Sequence, residues 1–321
     1  MTNNFRIFWS ERFDGMIMTP SNTVLALGTF DGVHVAHRQL LTRAIALKNE
    51  IKANFVGSWC FEQSPASVLK DIEIPSLTTL EQKVKIMLES GLDFVAVGNF
   101  KNYCHVSAEN FIDNTLIDKL GCVGTVCGFN HRFGYKGYGN ASLLKNKFSE
   151  SNVIEVNELT MFEETISSTS IREYILSGNI EKANAMLGRT FSIESPIVHG
   201  KQLGRKLNFP TANQFFPSDL IVPKHGVYAT ICTLENGEKH VGVSNVGIRP
   251  TISNDIDSHT ANCETYLCDF SGEIYGQKLK VEFCSYLREE KVFSSIDDLS
   301  AAIAQDKINA VNFFKTQKII L

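Results

Sequence analysis

Between residues 24 and 156, short apolar runs alternate with stretches of helical period, and near residue 187 that alternation stops. Val24 to Leu27 (VLAL) reads as a buried strand. HRQLLTRAIALKNEI after it carries apolar residues three and four apart, as a helix does. FVGSWCF is the next strand. Thr78 with Glu81 predicts a capping box opening a helix over TTLEQKVKIMLESG, closed by Gly91. DFVAVGNF, CVGTVCGF and NVIEVNEL complete the strands, with a third helix over SAENFIDNTLIDKLG. Strand–helix alternation of this length calls for right-handed crossovers, hence a parallel sheet covered on both faces. Ligands of such sheets lie beyond the carboxyl ends of the strands.

The second half has another rhythm. SIREYILSGNIEKANAMLG predicts short helices leading to a boundary, giving domains 1–186 and 187–321. GVYATICTL and KHVGVSNVG are joined by Glu235-Asn236-Gly237-Glu238, an Asn-Gly hairpin signal. ETYLCDF and QKLKVEFCSYL flank a turn with Ser271 and Gly272. Short strands with regular turns indicate a small antiparallel barrel. A terminal helix over SSIDDLSAAIAQDKINAVNFFK should pack Ile296, Leu299, Ile303, Ile308 and Val311 on it, with Ser294 or Ser295 as N-cap. The fold class is therefore α/β plus all-β: a Rossmann-like parallel sheet, then a small barrel with a terminal helix.

Composition narrows the function. With 43% hydrophobic and 21% charged residues in 321, the chain can bury real cores and is neither disordered nor a coiled coil. A net charge of -4 gives no reason to expect a nucleic-acid partner. No apolar run approaches a membrane span, and MTNNFRIFWSERF lacks the marks of a leader, so a cytoplasmic location is expected. The eight cysteines form no C-x-x-C pair and read as small buried hydrophobes.

Two stretches carry chemistry. In LALGTFDGVHVAHRQLL, Gly28 ends a strand, Gly32 lies in the turn, and His34 and His37 stand where a helix should begin. A helix start offers unpaired N–H groups and partial positive charge, so two imidazoles there make a compact oxyanion site. Attack on phosphorus fits, because charge builds on oxygens. Two surface histidines on an ordinary turn are the plain alternative. In HGKQLGRKLNFPTANQFFP, the loop with Gly200, Gly204 and Arg205 can face phosphates. Thr211 hydroxyl and Asn213 carbonyl are hard oxygen donors of the kind Mg²⁺ accepts beside ATP.

These strings resemble one family. G-x-F-D-G-x-H-x-x-H is similar to the nucleotidyltransferase superfamily, in particular the adenylyltransferase half of bacterial bifunctional riboflavin kinase/FAD synthetases. That pattern ends H-x-G-H, where this chain has His34-Val35-Ala36-His37. The resemblance implies ATP or flavin contacts from Gly28, Phe30 and Asp31 as well. CGFNHRFGYKGYGNASLL resembles the second motif through Gly128, Asn130, Phe133 and Gly134, with Asn130 on nucleotide or flavin; the family often has a basic residue at Gly137. ISSTSIREYIL resembles S-S-T-x-x-R, which implies that Ser168 and Thr169 donate to phosphates and Arg172 pairs with the triphosphate. A plain helix cap is the alternative for the first two.

GRKLNFPTAN resembles the riboflavin kinase module, with Asn208 in place of a glycine, and GVYA and GVSNVGIRPTI match its barrel strands and loop. Glu264 in CETYLCDF matches the catalytic glutamate, a general base toward the ribityl 5′-hydroxyl. A solvated strand carboxylate is the alternative. Arg288 in SYLREEKVF matches a segment on the flavin side. The resemblance implies that riboflavin and ATP give FMN, that FMN and a second ATP give FAD and pyrophosphate, and that both steps use Mg²⁺. A kinase with an impaired adenylyltransferase half and a non-catalytic flavin-binding protein are the competing readings. An adenylyltransferase for another acceptor fits the first half alone.

Overall fold

The structure is a computed structural model that describes residues 5–10, 19–199, 209–248 and 261–317. Its contacts divide the chain into two compact units, 1–168 and 169–321.

The first unit holds strands β1 (Phe5–Trp9), β2 (Thr23–Leu27), β3 (Phe55–Phe61), β4 (Phe94–Gly98), β5 (Cys122–Gly128) and β6 (Val153–Val156). They form one sheet in the order β1-β4-β3-β2-β5-β6. Four pairings are parallel, as expected; β1 adds an antiparallel edge that the helix–strand alternation did not mark. Helices α1 (Val35–Glu50), α2 (Pro65–Lys70) and α3 (Leu80–Glu89) follow strands β2 and β3. After β4 comes α4, a helical turn at Ala108–Asn110 that widens to a π-helix over Phe111–Ile117, and after β5 comes α5 (Ala141–Phe148). Leu41, Ala44 and Leu47 of α1 with Val84 and Met87 of α3 cover one sheet face, and Ile112, Leu116 and Leu144 cover the other. The α3 capping box stands one residue beyond the expected Thr78. Thr78 is buried, while Thr79 Oγ1 accepts from Gln82 N and Gln82 Oε1 from Thr79 N. Chain direction changes sides at β2: α1 crosses toward β3, whereas β5 lies on the opposite flank. A crevice opens there at the carboxyl ends. A two-strand ribbon, β7 (Thr160–Met161) and β8 (Glu164–Thr165), closes this unit.

The second unit starts on α6 (Ser168–Ser177) and α7 (Ile180–Leu187). Strands β9 (Phe191–Pro196), β10 (Thr211–Phe215), β11 (Gly226–Leu234), β12 (Lys239–Ile248), β13 (Ala261–Leu267) and β14 (Lys278–Arg288) pair antiparallel in the order β10-β13-β12-β11-β14-β9. The two edges meet: Val198 N donates to Asn213 O at 2.8 Å, and Gln214 Nε2 to Ser195 O at 2.8 Å. That closure makes the sheet a barrel. Helix α8 (Ile296–Thr316) begins at the N-cap Ser295. Of the expected face, Leu299, Ile303 and Val311 are half-buried, and the rest differs. Ile296 and Ile308 are exposed, while Asp306, Ala310 and Phe314 are buried, because Asp306 pairs with Arg288 of β14. All eight cysteines are free thiols, and seven are buried.

Candidate active sites

His34 is the N-cap of α1. Its backbone is extended, and its Nδ1 accepts the N–H of His37 at 3.3 Å. A neutral imidazole accepting at Nδ1 carries its proton on Nε2, so His34 caps the helix and remains a donor. The His37 ring stacks on His34 with centroids 3.6 Å apart, and it rests on Phe30 at 5.2 Å. Burial first, then His34 and the Lys83 ammonium, hold the His37 imidazole well below its ordinary range. Phe30 itself is fully buried, so it serves as the platform beneath His37. Asp31 is occupied as an anchor: Oδ1 accepts Leu77 N at 2.8 Å, and its carbonyl accepts Ser168 Oγ at 2.9 Å.

A cleft of about 520 Å³ is lined by Gly28, His34, Ala36, His37, Asn130 and Ser168, with His131, Arg132 and Glu158 beside them. Thr169 is exposed in the first turn of α6, and Arg172 stands four residues after Ser168 on the same helix face. His131 and Arg132 escaped the sequence reading, although both lie inside the quoted string around Asn130. Burial pulls the His131 imidazole down to about 4.

An apolar slot of about 260 Å³ shares Gly28, Thr29, His131 and Arg132 with this cleft. Its walls include Trp59, Phe61, Tyr103, Phe111 and Phe133. Trp59 meets Phe61, Tyr103 and Phe111 edge-on at 5.0–5.8 Å, which fixes the rings against one another. Gly98 on the neighbouring strand leaves the indole its room, since a Cβ there would lie 2.8 Å from it. At the far wall, Gly134 (φ +71°) lets the loop after β5 press on Ala108 of α4.

In the barrel, register assembles the second set. Asn213 lies opposite Glu264 and Thr211 opposite Tyr266, while Asn245 flanks Glu264 from β12. Directly opposed residues share a sheet face, so these side chains stand on one side. Thr211, Asn245, Glu264, Tyr266 and Arg288 line a cleft of about 270 Å³ together with Ile303 and Asp306 of α8. Glu264 is half-buried and accepts from Asn262 Nδ2 at 3.1 Å. Asn213 is buried, and its Oδ1 has no hydrogen-bond partner among the described residues. Arg288 reaches the cleft wall, yet its guanidinium grips the Asp306 carboxylate from Nε at 2.9 and 3.2 Å and from Nη2 at 2.7 Å. Gly200, Gly204 and Arg205 lie outside the described residues.

Two family models match in succession: FAD synthetase over residues 16–170 and riboflavin kinase over 187–314. Relatives named bifunctional riboflavin kinase/FMN adenylyltransferase occur in Listeria monocytogenes (33% identical) and Escherichia coli K12 (34%), each covering 92% of this chain and 94% of the relative. The chain belongs to the bifunctional riboflavin kinase/FMN adenylyltransferase family. A relative of the same name from Buchnera aphidicola of Schizaphis graminum is 36% identical over 89% of this chain and 92% of its own. A solved structure from Streptococcus pneumoniae, described as a macrolide-efflux protein, superposes with a TM-score of 0.83 at 27% identity, covering 92% of this chain and 96% of that one. No helix among the described residues is long and apolar enough to cross a membrane.

Proposed function

We infer that this family member phosphorylates riboflavin with ATP in the barrel and adenylylates FMN with a second ATP at the parallel sheet, releasing pyrophosphate. The observation that carries the reading is that the first unit holds a cleft lined by the two stacked histidines and the second a cleft lined by Thr211 and Glu264.

In the barrel, Glu264 takes the proton of the ribityl 5′-hydroxyl as that oxygen attacks the γ-phosphorus and ADP leaves. Thr211 and the unpartnered Oδ1 of Asn213 are the oxygen donors that would hold Mg²⁺. Bound there, the ion supplies charge for the phosphate oxygens. Gly200, Gly204 and Arg205 are assigned to the phosphates. Arg288, fixed by Asp306, forms part of the flavin wall.

At the sheet, a phosphate oxygen of FMN attacks the α-phosphorus of ATP. His34 donates from Nε2 to the charge that builds there, with His37 beside it on the first turn of α1. Ser168 borders the triphosphate cleft, Gly28 leaves room for the phosphates, and Asn130 contacts nucleotide or flavin. The aromatic slot takes the planar isoalloxazine, since it adjoins the phosphate cleft through a shared wall. Asp31 and Phe30 act from behind, holding the turn and the His37 ring.

Ala36 lines the nucleotide cleft where the family has glycine. That methyl favours the second reading, a kinase with a weakened adenylyltransferase. Incubating purified protein with riboflavin, ATP and Mg²⁺ and separating the flavins decides: FAD is expected, FMN alone would leave the kinase reading, and tight flavin binding without product would leave the non-catalytic one. We place the reaction in the cytoplasm, where ATP is available and buried thiols stay reduced.

A further inference from the structure

Among the described residues that wall the histidine cleft and the aromatic slot, Arg132 alone carries a fixed positive charge, and it lines both. It stands on the loop after β5, at the carboxyl end of the sheet, and its neighbours are pinned. His131 N donates to Gly128 O at 2.9 Å. Buried Phe133 donates to Gly139 O at 3.2 Å and accepts Gly139 N at 2.9 Å. Gly137 (φ +67°) puts no side chain beside the arginine; a Cβ there would stand 3.5 Å from the Arg132 Cβ. Arg6, Arg43 and Arg288 each meet a carboxylate, whereas Arg132 is exposed, with no ion pair or hydrogen bond among the described residues. Glu158, the acid of the same cleft, instead accepts Thr165 Oγ1 at 2.9 Å. Burial holds the His37 and His131 imidazoles neutral at neutral pH, so neither replaces the arginine's charge.

Riboflavin and FMN share the ring and the ribityl chain and differ in the 5′-phosphate. A slot that grips the ring cannot tell them apart; a group beyond the ring has to answer the phosphate. We propose that Arg132 selects FMN over riboflavin as the adenylyl acceptor, its guanidinium pairing with the 5′-phosphate of FMN where slot and cleft meet. The planar fork of N–H donors matches two phosphate oxygens. The third is left to attack the α-phosphorus of ATP: the new P–O bond forms as the bond to pyrophosphate breaks, and pyrophosphate leaves with the electron pair. Arg132 transfers no proton and keeps its charge throughout.

The proposal rests on the adenylyl-transfer reading of the cleft, so it is tested by two separable measurements on full chains carrying Arg132→Gln or Arg132→Lys. The first is FAD formation from FMN and ATP, each varied in turn. Gln should raise KM for FMN about ten- to a hundredfold, while KM for ATP stays where it was. Lys, a charge without the fork, should recover part of the loss. The second needs no turnover: FMN and riboflavin are titrated into each chain by calorimetry, the barrel's own flavin site being common to all three. Gln should weaken one FMN-binding event by the same factor and leave the riboflavin titration unmoved. An unmoved KM for FMN overturns the proposal. So does equal weakening of riboflavin and FMN, which would make Arg132 a plain wall of the slot. A rise in KM for ATP in place of FMN also overturns it, since the arginine would then belong to the nucleotide. Selective loss of FMN binding in chains that form no FAD would keep the phosphate contact and sink the adenylyl-transfer reading instead.

Discussion

Glu264 faces Asn213 across one antiparallel pair, within a strand face that also carries Thr211. Replacing its carboxylate by the isosteric amide keeps the Asn262 contact but removes the base. Glu264→Gln should lower riboflavin phosphorylation by about 10²–10⁴-fold, with FAD formation from added FMN within twofold of the parent. Chromatography of both products checks this. His131 gives a prediction about pH. Folded, it takes a proton only near 4, whereas the unfolded side chain does so near 6.5. Between those values the unfolded chain binds more protons, so stability rises with pH. The contribution is complete above about 6.5 and is lost as pH falls toward 4, amounting to at most about 3 kcal/mol. Urea unfolding at pH 7 and pH 5 should show the loss, and His131→Gln should flatten it. The histidines, Glu264, Thr211 and Asn213 were candidates already in the sequence because each sits inside a spaced string. The aromatic slot was not: among 22 Phe and 8 Tyr, its walls come from β3, the loop after β4, α4 and the loop after β5. Only tertiary placement selects them.

At the scale of elements, periodicity located the long helices and the barrel hairpins but missed short or edge pieces. β1 runs against the parallel pattern, and β10 lies inside the string read for phosphate contacts rather than for strand period. The face of α8 was misplaced for an electrostatic reason. Apolar spacing favoured Ile296 and Ile308, while the Arg288–Asp306 pair turns a charged residue inward. Asp306→Ala therefore leaves Arg288 half-buried without its partner and should cost the barrel unit roughly 3 kcal/mol. A lowered urea midpoint, with riboflavin phosphorylation weakened through KM, is the expected result. At the other end of the chain, Thr79→Ala removes the capping box of α3 and should cost about 1 kcal/mol. A matching drop in the first unit's unfolding midpoint checks it. Thr78→Ala should lack that signature, since Thr79 holds the cap.

For the whole molecule, contacts break at 168/169, whereas the family matches leave 171–186 between them. The change in sequence character at 187 marks the start of the barrel strands. Yet α7 is already bound to them: Asn184 donates to Phe283 O at 2.8 Å and accepts Phe191 N at 2.7 Å. On the proposed reading His37 serves one transfer in the first unit and Glu264 the other in the second, so a chain carrying Glu264→Gln and one carrying His37→Asn should together make FAD from riboflavin, although neither does alone. Failure of the mixture would mean that FMN never leaves the chain that made it. Stripping divalent cations with EDTA should stop phosphorylation, and added Mg²⁺ should restore it.

The double duty of His34 has an evolutionary cost. Its ring nitrogen starts α1 by taking the His37 amide, and on the proposed reading the same side chain serves the phosphate. A drifting lineage cannot discard adenylylation at this position without also fraying the helix that holds its companion imidazole. Asparagine, aspartate or serine, each able to accept the same amide, would silence the chemistry while sparing the architecture. A relative that has lost FAD synthesis yet keeps a well-folded first unit should carry one of these here.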